Sequence, residues 1–148
     1  MIDPLVRPAV TADATVLAEL EAEARAALAG HRGGPRWLRD HPANGARWAE
    51  VIEAPETHVR VAHIGDVVVG YIVVEIADRL ARVTDVYVTP EARELGFGDA
   101  LLAAGIDAAR GAGATTLDGE ALPGDRHMKN LYERAGITAR LIVVSTDL

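Results

Sequence analysis

The chain contains no cysteine. Disulfides, a thiol nucleophile and thiolate metal sites are therefore excluded together. Aromatic residues are scarce at 4%, with two Trp, three Tyr and one Phe, so each can be weighed individually. No apolar run reaches the roughly 18–20 residues that cross a bilayer, and Met1-Ile2-Asp3-Pro4 lacks the basic and apolar regions of a secretory signal. A cytoplasmic location is the expectation, with no membrane partner. Positive charge is also short, 15 Lys and Arg against 22 Asp and Glu, for a net charge of −7. Nucleic-acid binding without sequence preference depends on cationic patches, so that class is set aside. The acidity agrees with a cationic small substrate, although it serves solubility equally well. No His, Asp or Glu set has metal spacing, and no Gly-x-Ser-x-Gly elbow supports a hydrolase triad.

What is present describes one globular domain over 1–148, with 49% apolar and 25% charged residues. Leu5 to Val10 reads as a strand. Asp13 is a plausible N-cap for a helix to about Leu28, with Leu17, Leu20, Ala24 and Leu28 at helical spacing. His31 to Gly45 is rich in Gly, Pro, Arg and His and reads as a surface connection with one irregular turn. A short helix over Ala46 to Glu53 is stopped by Pro55. Strands follow over His58–Ile64 and Val67–Ile76, joined by Gly65-Asp66, and over Ala81–Thr89 after an Asp78-Arg79 turn. A helix after Gly96 and Gly98 carries Leu101, Leu102, Gly105, Ile106 and Ala109 on one face. Thr115–Glu120 reads as a strand, Asp125 caps a helix through Ala135, and Ile137–Thr146 is the expected last strand. The fold class is α/β, with a mixed central sheet of about six strands and helices on both faces.

The most informative stretch is Val86-Tyr87-Val88-Thr89-Pro90, followed by Arg93-Glu94-Leu95-Gly96-Phe97-Gly98-Asp99 and a leucine-bearing helix. Glycines at a helix start let backbone approach a ligand closely, and the first free N–H groups with the helix dipole make an anion site. A nucleotide P-loop needs Lys and Ser/Thr after its last glycine, where Asp99-Ala100 stand instead. A dinucleotide fold would use Asp118 about twenty residues on. Against it, the glycines lie beyond the strand end, Leu101 replaces the third glycine, and too little chain remains.

The pattern Val-x-Val-x-Pro, Arg93-x-x-Gly96-x-Gly98 resembles the acyl-CoA signature of the GNAT N-acetyltransferase family. Asn130-Leu131-Tyr132-Glu133-Arg134-Ala135-Gly136 is similar to that family's Asn-x-x-Tyr-x-x-x-Gly helix, and the element order agrees over nearly the whole chain. The resemblance implies acetyl-CoA as co-substrate, no metal, and direct acetyl transfer to a small-molecule or peptide amine. It implies that Val86, Tyr87 and Val88 hold the pantetheine arm through main chain, with Arg93 to Asp99 at the pyrophosphate and Asn130 beside the arm. Tyr132 is implied as the acid for the departing thiolate. Glu120 and Asp85 are candidate bases, with Asp118 on Glu120's face by strand alternation. Plain alternatives stand beside these roles: core valines, a core tyrosine, solvated strand-end acids. Glu94 and Asp99 depart from the small or basic residues common in relatives, and an acid there repels a pyrophosphate unless it points away. Trp37, Arg36, Arg39 and His41 can shape an acceptor pocket, while Trp48 reads as a staple to the core. A non-catalytic CoA-binding domain of the same fold is the alternative function. One closing strand leaves a sheet edge bare, so a homodimer through Ile137–Thr146 is expected.

Overall fold

The computed structural model describes residues 4–148. The chain runs through β1 (Leu5–Pro8), α1 (Ala14–Leu28), α2 (Gly34–Asp40), α3 (Trp48–Glu53), β2 (Thr57–Ile64), β3 (Val67–Ala77) and β4 (Leu80–Val88). It continues through α4 (Phe97–Gly111), β5 (Thr116–Asp118) and α5 (Arg126–Arg134). The strands form one sheet in the order β1-β2-β3-β4-β5, antiparallel except for the parallel β4–β5 pair. The hairpins fall where the turn residues place them. Gly65 has a φ of 56°, and Asp78 and Arg79 have φ of 51° and 67°, the left-handed pair that a two-residue turn between twisted strands requires.

Helices cover both faces. Ile72, Val74, Val83 and Val86 pack beneath Phe97, Leu101, Leu102 and Ala109 of α4 and Leu131 of α5. Gly105 lets α4 settle there, because a Cβ on it would lie 2.9 Å from Ile72 Cδ1. On the opposite face Val59, Val61, Tyr71 and Val73 pack against Leu17 and Leu20 of α1 and the fully buried Trp48 of α3. Each such buried side chain contributes about 1.5–3 kcal/mol, so the two clusters hold the helices to the sheet.

Three local readings are corrected. Asp13 does not cap α1 with its side chain. It sits in a 3₁₀ turn, Thr11–Asp13, and turns back to accept from Arg7 at 2.8 and 2.9 Å and from the Val10 amide at 2.8 Å. The Arg7 bond is the main cause that holds its carboxyl below the usual range. The segment read as irregular contains α2, entered through Gly33 at φ 81° and closed by Arg25, whose guanidinium donates to the carbonyls of His41 at 2.7 Å and Leu38 at 3.1 Å.

The expected sixth strand, Ile137–Thr146, is not formed, and the described sheet has five. Leu141, Ile142, Val143 and Val144 are 84, 82, 74 and 89% exposed. A β-rich sequence becomes a strand only beside a pairing edge, and three-residue β5 offers a very short one.

Candidate functional site

β5 pairs with β4 only at Leu80, Ala81 and Arg82. From Val83 to Val88, β4 keeps β3 on one side and has no strand on the other. The splay opens a groove of about 870 Å³, bounded by this bare edge, the loop before α4, and α5. A register slip shapes its floor: Val73 faces Asp85 while Val74 faces Val83, which leaves Thr84 without a partner. Such a bulge re-aims side chains. Val83 and Val86 thereby share the α4 face, and Asp85 is freed to meet Tyr71 on the other.

At the C-terminal end of β4 the chain turns into the glycine loop. Glu94 has a φ of 65° and Gly96 a φ of 86°. For Glu94 that left-handed conformation costs of order 1 kcal/mol; glycine adopts it freely. Gly96 is the N-cap of α4 and has no side chain to cap the helix. The first N–H groups of α4 have no partner within the helix and carry the positive end of its dipole. Arg93, Glu94, Gly96, Phe97, Gly98 and Asp99 all line the groove, whereas Leu95 is 41% exposed and lies outside its lining. Arg93 donates from Nε to the Val88 carbonyl at 3.1 Å and lies 5.8 Å from the Tyr87 ring centroid. Asp99 is paired, with Arg134 Nε 2.9 Å away. Its charge beside the anion site is thus matched by a cation from α5.

Farther along the groove stand Tyr132, Asp85 and Glu120. Tyr132 is buried in the α4-side core, and its ring lies directly on the backbone of Gly119. A Cβ at position 119 would stand 2.4 Å from both Tyr132 Cζ and Oη. A side chain at position 119 would therefore displace the phenol. Burial first, then Glu120 and Asp85, push the Tyr132 hydroxyl well above its ordinary range, so it stays protonated. Asp85 is half-buried and accepts from Tyr71 Oη at 2.5 Å. Burial raises its carboxyl to about 6; the Tyr71 bond opposes this, Glu21 adds to it, and the Val86 amide and Arg25 lower it. Glu120 and Asn130 also line the groove, but Asp118 does not. The strand ends at Asp118, so alternation does not carry it to Glu120's side.

Two residues behind Asp85 escaped sequence reasoning. Tyr71 looks like any strand aromatic in sequence, and only the register slip brings it to Asp85. Glu21 could have been found, because it stands four after Leu17 and three before Ala24 on α1's apolar stripe. It is 5% exposed and accepts from the amides of Asn44 at 2.9 Å and Gly45 at 3.0 Å and from Trp48 Nε1 at 3.2 Å. Trp48 meets Tyr71 edge-on at 5.4 Å. Of the four pocket candidates, Trp37 lines the groove and Arg36, Arg39 and His41 do not. His41 stacks on Trp37 at 4.3 Å with Nδ1 2.8 Å from the Trp37 carbonyl. Arg36 lies 3.6 Å from Asp40 and donates to Ser145 Oγ at 2.6 Å. Among the described residues, no three His, Asp or Glu side chains gather as a metal set.

The bare strand edge and free helix N-terminus suit a ligand with an amide-bearing arm and an anionic end. Residues 17–137 match the family model described as the acetyltransferase (GNAT) family. No curated protein matches. Solved structures share the fold. AAC(6')-Iy, in complex with the bisubstrate analogue CoA-S-monomethyl-acetylneamine, is 16% identical with a TM-score of 0.72, covering 99% of this chain and 100% of its own. A ribosomal-protein-alanine N-acetyltransferase from Brucella melitensis biovar Abortus 2308 is 16% identical with a TM-score of 0.73, at 99% and 100% coverage. A tetramutant of the BH1408 protein from Bacillus halodurans is 14% identical with a TM-score of 0.77, at 97% and 99%.

Proposed function

The chain belongs to the GNAT acetyltransferase family and is an acetyl-CoA-dependent N-acetyltransferase, and we propose that it passes the acetyl group directly to an amine in the groove between β4 and β5. The observation that carries this reading is the bare edge of β4, which leads from the free N-terminus of α4 to Tyr132, Asp85 and Glu120. In the reaction the amine nitrogen forms a bond to the thioester carbonyl carbon and the carbon–sulfur bond breaks. The nitrogen loses a proton to a carboxylate, and the thiolate gains one from the Tyr132 hydroxyl. The pantetheine arm lies along Val86, Tyr87 and Val88 and beside Asn130, and the pyrophosphate against Arg93 to Asp99. Leu95 serves there through backbone alone. A phenol held protonated by burial suits the acid, and Asp85 suits the base because its carboxyl ionises near neutrality. Glu120 is the second candidate, being the other carboxylate beside Tyr132.

Kinetics of thiol release test these roles. Tyr132→Phe should lower kcat, and Asp85→Asn should remove the acid limb of the kcat/KM profile. If Glu120→Gln removes that limb instead, Glu120 is the base. CoA binding without transfer to any amine would make the chain a binding domain. A small-molecule or peptide amine is the acceptor, and no metal takes part. The proposal includes a cytoplasmic location; among the described residues no helix is long and apolar enough to cross a membrane. It also includes a homodimer, supported by the exposed Leu141–Val144 run and the free edge of β5.

A further inference from the structure

The groove has two chemically different ends. β4 runs from Asp85 toward Val88 and the glycine loop, which marks the anionic end. The opposite end closes where the segment after β5 meets the turn between α1 and α2. A Cβ on Gly33 would stand 3.6 Å from Leu122 Cδ2, and one on Gly124 would stand 3.4 Å from His31 Nδ1. The walls there are Ala27 and Leu28 of α1, Trp37 of α2, and Ala121 and Leu122, with His31 at the turn. Just beyond Gly124, Asp125, Arg126 and His127 also line the groove, and Asp125 is engaged as the cap of α5, accepting from the Met128 amide at 3.1 Å.

The other carboxylates are placed elsewhere. Asp85 and Glu120 lie beside Tyr132, where the reacting nitrogen must sit. Glu21 is occupied by three donors, and Glu23 accepts from Tyr87 Oη at 3.1 Å. A second ammonium on the acceptor would meet these apolar walls, with Asp125 already engaged and followed by Arg126. An apolar body would meet Leu28, Leu122 and the Trp37 ring, which His41 holds by stacking at 4.3 Å.

We propose that the acceptor is a primary amine on an apolar aliphatic or aromatic body, with no second positive charge, seated against Trp37, Leu28 and Leu122. This rests on the transfer reading above. An apolar group gained or lost in such a pocket changes discrimination by about 10–200-fold.

The test compares thiol release from acetyl-CoA with 2-phenylethylamine and with spermidine, for the wild-type protein and for Trp37→Ala. The expected kcat/KM is at least about tenfold higher for 2-phenylethylamine. Trp37→Ala should reduce that advantage by about tenfold and leave the KM for acetyl-CoA unchanged. Equal or greater use of spermidine, or an unchanged preference in Trp37→Ala, overturns the apolar acceptor while leaving the transfer reading standing. No thiol release with either amine, nor with a wider amine panel, overturns the transfer reading and this proposal with it.

Discussion

At Tyr132 the ring and the hydroxyl do separate work. The ring fills the core against Leu131 and the Gly119 backbone, and the hydroxyl faces Glu120 and Asp85. Tyr132→Phe keeps the first and removes the second. General acids contribute about 10²–10⁴-fold, so kcat should fall about 10²-fold while CoA affinity holds; thiol release and calorimetry read the two separately. Gly119→Ala should lower kcat by displacing the phenol. In a Tyr132→Phe background the same change should add little further loss, because the hydroxyl it displaces is gone; stopped-flow kinetics on the double-variant cycle measures this. With Asp85 as the proposed base, its carboxyl sets the expected pH dependence. Burial raises its carboxyl to about 6, so below that pH it is protonated and cannot accept, and above it the base is available. The wild-type kcat/KM should rise through about 6 and level off, and Asp85→Asn should give a lower profile without that step. Tyr132 and Glu120 were legible in the sequence through the Asn130–Gly136 pattern and the spacing before it. Tyr71 and Gly119 were not, since their roles arise from a bulge and a ring contact that no local pattern encodes.

Among the elements, the α4–α5 contact answers the concern that Asp99 raises beside the proposed pyrophosphate site. Asp99 would repel a pyrophosphate if it stood alone, but Arg134 holds it at 2.9 Å. Both side chains are about half exposed, so the pair adds little to stability; its effect is on local charge. Arg134→Gln should weaken CoA binding by about threefold to tenfold, corresponding to about 1 kcal/mol, and Asp99→Asn in the same chain should restore most of it. Titration calorimetry at low salt is the measurement, since screening erodes such effects. The long strands and helices were readable because periodicity and turn residues agree there. Thr115–Glu120 and Ile137–Thr146 were overread for one reason: strand propensity is expressed only against a partner edge, and the splay of β5 from β4 withdraws that edge. The tail's apolar run is then left exposed, and it is the surface proposed above to meet another copy of the chain. Sedimentation at micromolar concentration should give a dimer, and removal of residues 139–148 should give a monomer.

At the scale of the whole molecule, the sheet works as a scaffold split at one seam. β1 to β4 are continuous, both faces are covered, and the only parallel pair parts after Arg82. Everything assigned to chemistry lies on or beside that seam: the bare edge of β4, the N-terminus of α4, the phenol on Gly119 and the carboxyl of Asp85. The order of elements and the glycine pattern made the seam's location readable in advance, while its width depended on where β5 stops. Hydrogen–deuterium exchange with and without CoA tests this placement most directly. CoA should slow exchange in residues 83–88 and 96–99 and leave β2 unchanged. Unchanged exchange in those two segments, or protection confined to α1 and α3 on the other face, would contradict it.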